Sequence, residues 1–276
     1  MNQLNNIIDD AIEEIRDGFP FPEILEETID TIKPIAALLQ AQMPTGGRLL
    51  DLGCGALDKA MVYQKLGYQC CCADDFQDAW HRNPNNLNPV VAFAKSLGIE
   101  VYEQSEPFAV PWENESFDIV TIINVIEHLH GTPRELLNFA GTLLKPGGLL
   151  VVGMPNSVNL RKRLSVLMGR SNYTPARGIY ECEGVWRGHI REYTLEETCQ
   201  IVRWTGFDLV SKSTFHGILR NRLRNRLLRL MFRSLCAISP QFKDSLLVAA
   251  HKPIDWEPRE PDLEALLGVA GHESFA

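Results

Sequence analysis

The sequence predicts an α/β fold built on a doubly wound, mainly parallel sheet, with helices ahead of it and a helical lid inserted late in the chain. Three observations carry this. Apolar runs at 48–52, 68–73, 99–103, 117–123 and 147–153 alternate with helical or turn-rich connections, the rhythm of strands joined by crossovers. The first run ends in Leu50-Asp51-Leu52 and breaks into Gly53-Cys54-Gly55, a tight turn where backbone can approach a ligand. Lys59 to Leu66 then read as a helix, so the turn lies at a strand-to-helix junction, where open α/β sheets carry nucleotide sites.

Along the chain, Leu4, Ile7, Ile8, Ala11, Ile12 and Ile15 recur at helical spacing over 2–17. Phe19-Pro20-Phe21-Pro22 ends that helix, and Pro22 can open a second over 23–42, with a kink or restart expected at Pro34. Residues 1–45 therefore read as a helical cover over a sheet edge or the ligand cleft. A helix over 133–144 should end at the turn Lys145-Pro146-Gly147-Gly148, which feeds the buried strand 147–153. Helix 195–205 is announced by Thr194 with Glu197 three residues on, a capping box. Strands at 207–212 and 246–250 bring the total to seven. The body thus spans 46–253, with inserts 154–193 and 213–243 as the lid. Residues 254–276, rich in acids and proline, read as a solvated tail.

Composition narrows the function classes. Hydrophobic residues at 45% and charged residues at 22% are ordinary for a soluble globular protein. No stretch has the length of apolar chain that a membrane span needs, and the acidic N-terminus is unlike a signal peptide. Seven cysteines, with Cys70 to Cys72 consecutive in an apolar run, read as free thiols of a reducing compartment, so a cytoplasmic location is expected. No spacing marks a metal site. The net charge of −8 conceals a segment, 157–234, with fifteen Lys/Arg against six Asp/Glu. A basic region within an acidic chain points to a local anionic partner rather than to nucleic acid binding.

Four segments in order carry a family resemblance: Leu-Asp-Leu-Gly-Cys-Gly at 50–55, Val-Pro-Trp-Glu-Asn-Glu-Ser-Phe-Asp-Ile-Val at 110–120, Asn-Val-Ile-Glu-His-Leu at 124–129 and Leu-Lys-Pro-Gly-Gly at 144–148. The chain resembles the class I S-adenosylmethionine-dependent methyltransferases from Arg48 to Pro253. Its nearest likeness is the small-molecule branch, which includes ubiquinone-biosynthesis-like and polysaccharide-cluster enzymes. Gly188-His189-Ile190-Arg191-Glu192-Tyr193-Thr194 also looks like a signature of that branch. The resemblance implies a Rossmann-like, doubly wound seven-stranded sheet with an antiparallel last strand, and S-adenosyl-L-methionine as cofactor. It implies methyl transfer, foremost to a hydroxyl of a small molecule, sugar or glycan, lipid-linked acceptors included. A nitrogen or a quinone-type phenol is the alternative acceptor, and a non-catalytic cofactor-binding protein the alternative of another class. Where the family often has a third small residue after the glycines, this chain has Leu57, at the cofactor's methionine end.

The candidate site residues follow from chemistry and resemblance together. The turn Gly53, Cys54, Gly55 would present amides to the amino acid end of the cofactor, and Asp51 suits its ammonium. Asp74, closing the second strand, can accept ribose hydroxyls, with Asp75 as competitor. Phe76 is placed beside ribose or adenine, and Phe108 beside adenine or in the core. By the resemblance, Glu106 aligns with the acid that takes the adenine amino group, while Asn124 and Val125 lie along the methionine portion. His128 and His189 are candidate bases, since imidazole accepts a proton near neutral pH. The plainer role for His128 is a backbone bond at a helix start. Arg191, Glu192 and Tyr193 are candidate substrate binders, with Arg191 able to fork onto an anion or simply to pair with Glu192 or Glu127.

Over 216–238 a leucine stripe is flanked by Arg220, Arg222, Arg224, Arg226, Arg229 and Arg233, and Arg161-Lys162-Arg163 repeats the theme. These segments are expected either to close as a lid or to contact an anionic membrane or lipid-linked acceptor as a peripheral attachment. Nucleic acid is disfavoured because no interleaved aromatics offer a stacking platform.

Overall fold

In the computed structural model, which describes residues 2–217, 230 and 234–265, α1 (Asn2–Arg16) and α2 (Pro22–Gln42) precede the sheet. There follow β1 (Gly47–Leu52), α3 (Asp58–Lys65), β2 (Tyr68–Asp74), α4 (Pro84–Ser96), β3 (Glu100–Glu103) and β4 (Phe117–Ile123). Then come α5 (Pro133–Leu143), β5 (Leu144–Pro155), α6 (Leu160–Leu167), α7 (Ala176–Tyr180), α8 (Leu195–Trp204), β6 (Asp208–Phe215) and β7 (Ser245–His251). The seven strands pair in the order β3-β2-β1-β4-β5-β7-β6. β1 to β5 pair in parallel, and β7 runs antiparallel to both its neighbours, so the sheet has the reversed last strand expected of it. The order turns back at β1 and β4, and at such a switch point the strand ends leave a crevice.

Two cores form because successive side chains of a strand face opposite ways. Leu49, Cys70, Cys72, Ile119 and Val151 point toward α1 to α4, while Leu50, Cys71, Val120, Ile122 and Val152 point toward α5 and α8. The N-terminal helices are part of the first core: Ile8, Ile12, Ile15, Leu25, Ile32 and Leu39 are buried against it. They cover a sheet face through α3, not an edge, and Pro34 is accommodated within a single helix.

Local departures from the sequence reading have physical causes. Lys145-Pro146-Gly147-Gly148 does not separate helix from strand but lies inside β5, as a bulge. Phe117 pairs with Leu144 and Ile119 with Leu149, so the extra residues loop out at Gly147 (φ 77°). The tail is docked at its start: Trp256 Nε1 donates to the Thr205 carbonyl (2.8 Å), and Arg259 N–H donates to Asn138 (2.9 Å). The indole lies against Gly141, where a larger residue would collide with it. Most of the basic stretch 216–238, including all six arginines, lies outside the described residues. No helix among the described residues is long and apolar enough to cross a membrane.

Candidate active site

A cleft of about 1100 Å³ opens at the carboxyl ends of β1, β2 and β4. That is at the upper end of ligand pockets and leaves room for two reactants. Its wall includes Gly53, Gly55, Lys59 and Asp74 at one end with Val125 beside Gly53, Glu106 and Phe108 from the segment after β3, Asn124 after β4, and His128 and Arg187 toward the insert.

The first end is built around the turn after β1. Gly53 has φ 72° and Gly55 φ 56°, and a Cβ on Gly53 would collide with Val125. Only glycine meets both demands at position 53. Asp74 fastens the turn, one carboxylate oxygen accepting the Gly55 N–H and the other the Phe76 N–H, both at 2.8 Å. Leu57 also holds a positive φ (63°), yet its side chain is fully buried; the chain keeps a glycine-like bend there and spends it on the core. Below lies a buried polar cluster. Asp51 accepts the Thr121 hydroxyl (2.6 Å), and Asp58 accepts the Thr28 hydroxyl (2.5 Å) and Lys59 (3.4 Å). Burial pushes the Asp51 carboxyl up to about 6, with Lys59 and Thr121 opposing it.

The second end is assembled from the 3₁₀ turn Ile126–His128 and the insert after β5. The Glu127 carbonyl accepts the N–H groups of Ile190 (2.7 Å) and Arg191 (3.3 Å), pinning the insert to the turn. His128 Nδ1 lies 2.7 Å from the Arg187 carbonyl, and His189 Nδ1 lies 2.8 Å from Glu192 Oε1. Each acceptor is an oxygen that cannot donate to a ring, so each imidazole places its proton on Nδ1 and leaves Nε2 as a base. The rings meet edge to face with centroids 4.8 Å apart. Burial lowers His189 to about 4, and the charges of His128 and Lys162 add to this. Glu127 is fully buried, its side-chain oxygens make no hydrogen bond to another described residue, with Oε1 4.0 Å from His128 Nε2, and burial pushes its carboxyl up to about 8.

Arg187 joins the two ends. From the insert it reaches the β2 end, with Nη2 on both Asp75 oxygens (2.7 and 2.5 Å) and Nε 3.6 Å from Asp78.

Several expectations are corrected by this geometry. Phe76 turns away from the cleft into the first core and meets His81. Cys54 points into the same core, and Asp51 lies beneath the turn rather than in the wall. Arg191 faces outward: it pairs with Glu197 (3.1 Å) and lies over the Tyr193 ring, which is itself in the second core. Glu192 serves Lys162 and His189 instead of lining the cleft. His189, too, stands behind His128, not in the wall. Lys59, Arg187 and Lys162 were missed. Lys59 follows the turn closely enough to have been found by its position, but no local signal marks Arg187. Glu127, His128 and His189 also each offer an atom within 4.8 Å of the others, a cluster that could hold a cation. Their spacing in the chain hides it.

A family model described as a methyltransferase domain matches residues 25–212, more than half the chain. The chain belongs to that family. It carries a class I S-adenosylmethionine-dependent methyltransferase domain. Among curated relatives, a ubiquinone biosynthesis O-methyltransferase of Roseobacter denitrificans is 29% identical over 174 residues, covering 62% of this chain and 63% of the relative. The chain thus spans less than two thirds of that relative's length. Among solved structures, the 1,6-didemethyltoxoflavin N1-methyltransferase of Burkholderia thailandensis aligns with TM-score 0.53 at 14% identity, over 88% of this chain and 87% of that one. The [4+2]-cyclase SpnF aligns at 0.52 with 15% identity, over 80% and 81%. Likeness at this level speaks for the fold, which hosts more than one chemistry.

The wall fits the family's cofactor. A turn that a Cβ would obstruct, an acid at the end of β2 and a buried lysine beside them suit a ligand with a ribose and an amino acid end.

Proposed function

We propose that this protein transfers the methyl group of S-adenosyl-L-methionine to a hydroxyl oxygen of a small-molecule acceptor, with a phenolic ring hydroxyl as the favoured class. The observation that carries the proposal is His128 in the cleft wall, its Nδ1 committed to the Arg187 carbonyl and its Nε2 without a hydrogen bond among the described residues, with His189 packed edge to face against it. When bound, the cofactor supplies a methyl group already activated by its sulfonium. Gly53, Gly55 and Asp74 would hold it. His128, in the wall, would take the acceptor proton at Nε2 while its Nδ1–H stays on the Arg187 carbonyl. His189 keeps the ring of His128 in place from behind, itself oriented by Glu192. The insert, tied down by Arg187 and the Glu127 carbonyl, would hold His128 in position against the acceptor.

The name of the curated relatives, ubiquinone biosynthesis O-methyltransferase, supports an oxygen acceptor. An imidazole, near 6.5 in general, is also better matched to a phenol at about 10 than to the far less acidic hydroxyl of a sugar. Such an acceptor partitions into lipid. The proposal therefore includes peripheral contact with an anionic membrane through 216–238, which salt-sensitive sedimentation with vesicles would test. In support, Leu164, Val166, Leu167 and Met168 are exposed on the adjoining insert.

A second reading is favoured by the three clustered donors: a divalent cation at Glu127, His128 and His189 would polarise the acceptor oxygen. Chelation distinguishes the two, since the imidazole reading keeps its turnover after exhaustive chelation and the cation reading loses it. The proposal as a whole is tested by incubating the protein with methyl-labelled cofactor and a panel of catechols, phenols, sugars and amines. Label is expected in a ring hydroxyl. Label in a nitrogen, or cofactor binding without transfer to any acceptor, would overturn it.

A further inference from the structure

We infer that Lys59 takes the carboxylate of the cofactor's amino acid end, a role that rests on the cofactor reading above. The glycine turn is flanked by acids: Asp51 beneath it, with Asp58 at the start of α3 and Asp74 at the end of β2 both close enough to act on Asp51. An amino acid end brings an ammonium, which such acids welcome, and a carboxylate, which they repel. Something cationic must therefore meet the carboxylate. Among the described residues lining the cleft, the lysine and arginine are Lys59 and Arg187. Arg187 is committed to Asp75 and Asp78.

Lys59 lies beside Gly53 and Gly55 with 8% of its surface exposed. Burial would lower its ammonium, but Asp58 and Asp51 outweigh that cost and hold it above the ordinary lysine value, so it meets a ligand charged. An ammonium has three donors, and the hydrogen bond it makes to Asp58 Oδ1 is long, 3.4 Å. The other Asp58 oxygen is occupied by Thr28. Lys59 is thus held charged at the turn by carboxylates that do not saturate it. A lysine that served only to neutralise Asp51 and Asp58 would need no place in the cleft wall.

The test is calorimetry on the full chain with two ligands, S-adenosylhomocysteine and 5′-methylthioadenosine, which lacks the amino acid end. Lys59→Gln should weaken S-adenosylhomocysteine at least tenfold, the loss expected of a charge-assisted bond, and leave methylthioadenosine within twofold. Lys59→Arg should restore most of the affinity. An unchanged affinity for S-adenosylhomocysteine in Lys59→Gln would overturn the inference, as would equal losses for both ligands, the mark of a distorted turn. Should Lys59→Gln fail to fold, the native protein decides: the carboxamide of S-adenosylhomocysteine should bind at least tenfold more weakly than the acid, and equal binding would refute the role. Failure of the cofactor reading itself looks different, because the native protein would then bind neither ligand.

Discussion

The two ends of the cleft are made in different ways. The end at the glycine turn is local: Gly53, Gly55, Lys59 and Asp74 come from adjoining elements, and backbone amides do much of the holding. The end at His128 is assembled over distance, from a turn after β4 and an insert about sixty residues later, joined by a carboxylate, two imidazoles and a buried lysine. A local site depends on backbone shape, and an assembled one on charges that must find each other. Substitutions should therefore fail in different currencies at the two ends, stereochemical at the first and electrostatic at the second.

The largest effect on stability is expected at the assembled end. Glu192→Gln removes the carboxylate shared by Lys162 and His189 and so breaks a buried ion pair. The cost should be about 3 kcal/mol or more in denaturant unfolding. Next comes Asp51, beneath the local end. Its folded value of about 6 lies above the 3.8 of an exposed acid. Between those values the folded protein keeps a proton that the unfolded chain has released, so stability falls as pH rises from about 4 to about 6, by at most about 3 kcal/mol. Unfolding curves across that window should show a shallower decline for Asp51→Asn than for the native protein; parallel declines would remove Asp51 from the account. Gly53→Ala is expected to cost about 2 kcal/mol, through the positive φ and the collision with Val125, and to weaken cofactor binding at least tenfold in calorimetry. A Gly53→Ala protein that binds normally would show that the turn adapts, which would blur the contrast between the ends.

The same contrast explains what was legible in the sequence. The sheet could be read because each strand is a short apolar run and each connection a helix, and the reversed last strand followed from the family resemblance. The local end could be read because Gly53, Gly55 and Asp74 signal by spacing alone. Even there, Phe76 was misplaced: a positive φ (47°) turns its ring into the core, and no pattern announces that. The assembled end was legible as residue types but not as partners. Arg191 looked like an anion fork because it neighbours His189, yet it points outward to Glu197, while Arg187, in a stretch without periodicity, makes the contact across the cleft. Which of two nearby side chains faces the cleft is decided by how the insert is pinned to Glu127, a tertiary fact. Trp256 is similar: proline and acids around it mask a residue that docks on α5.

The central claim is that the assembled end removes a proton while the local end holds the cofactor. His128→Ala separates the two most directly, with turnover of labelled cofactor onto a phenolic acceptor and calorimetry with S-adenosylhomocysteine measured on the same preparation. The account predicts a fall in turnover of about a hundredfold or more, with cofactor affinity within twofold of native. Native turnover in the variant, or loss of cofactor binding in step with activity, would contradict it.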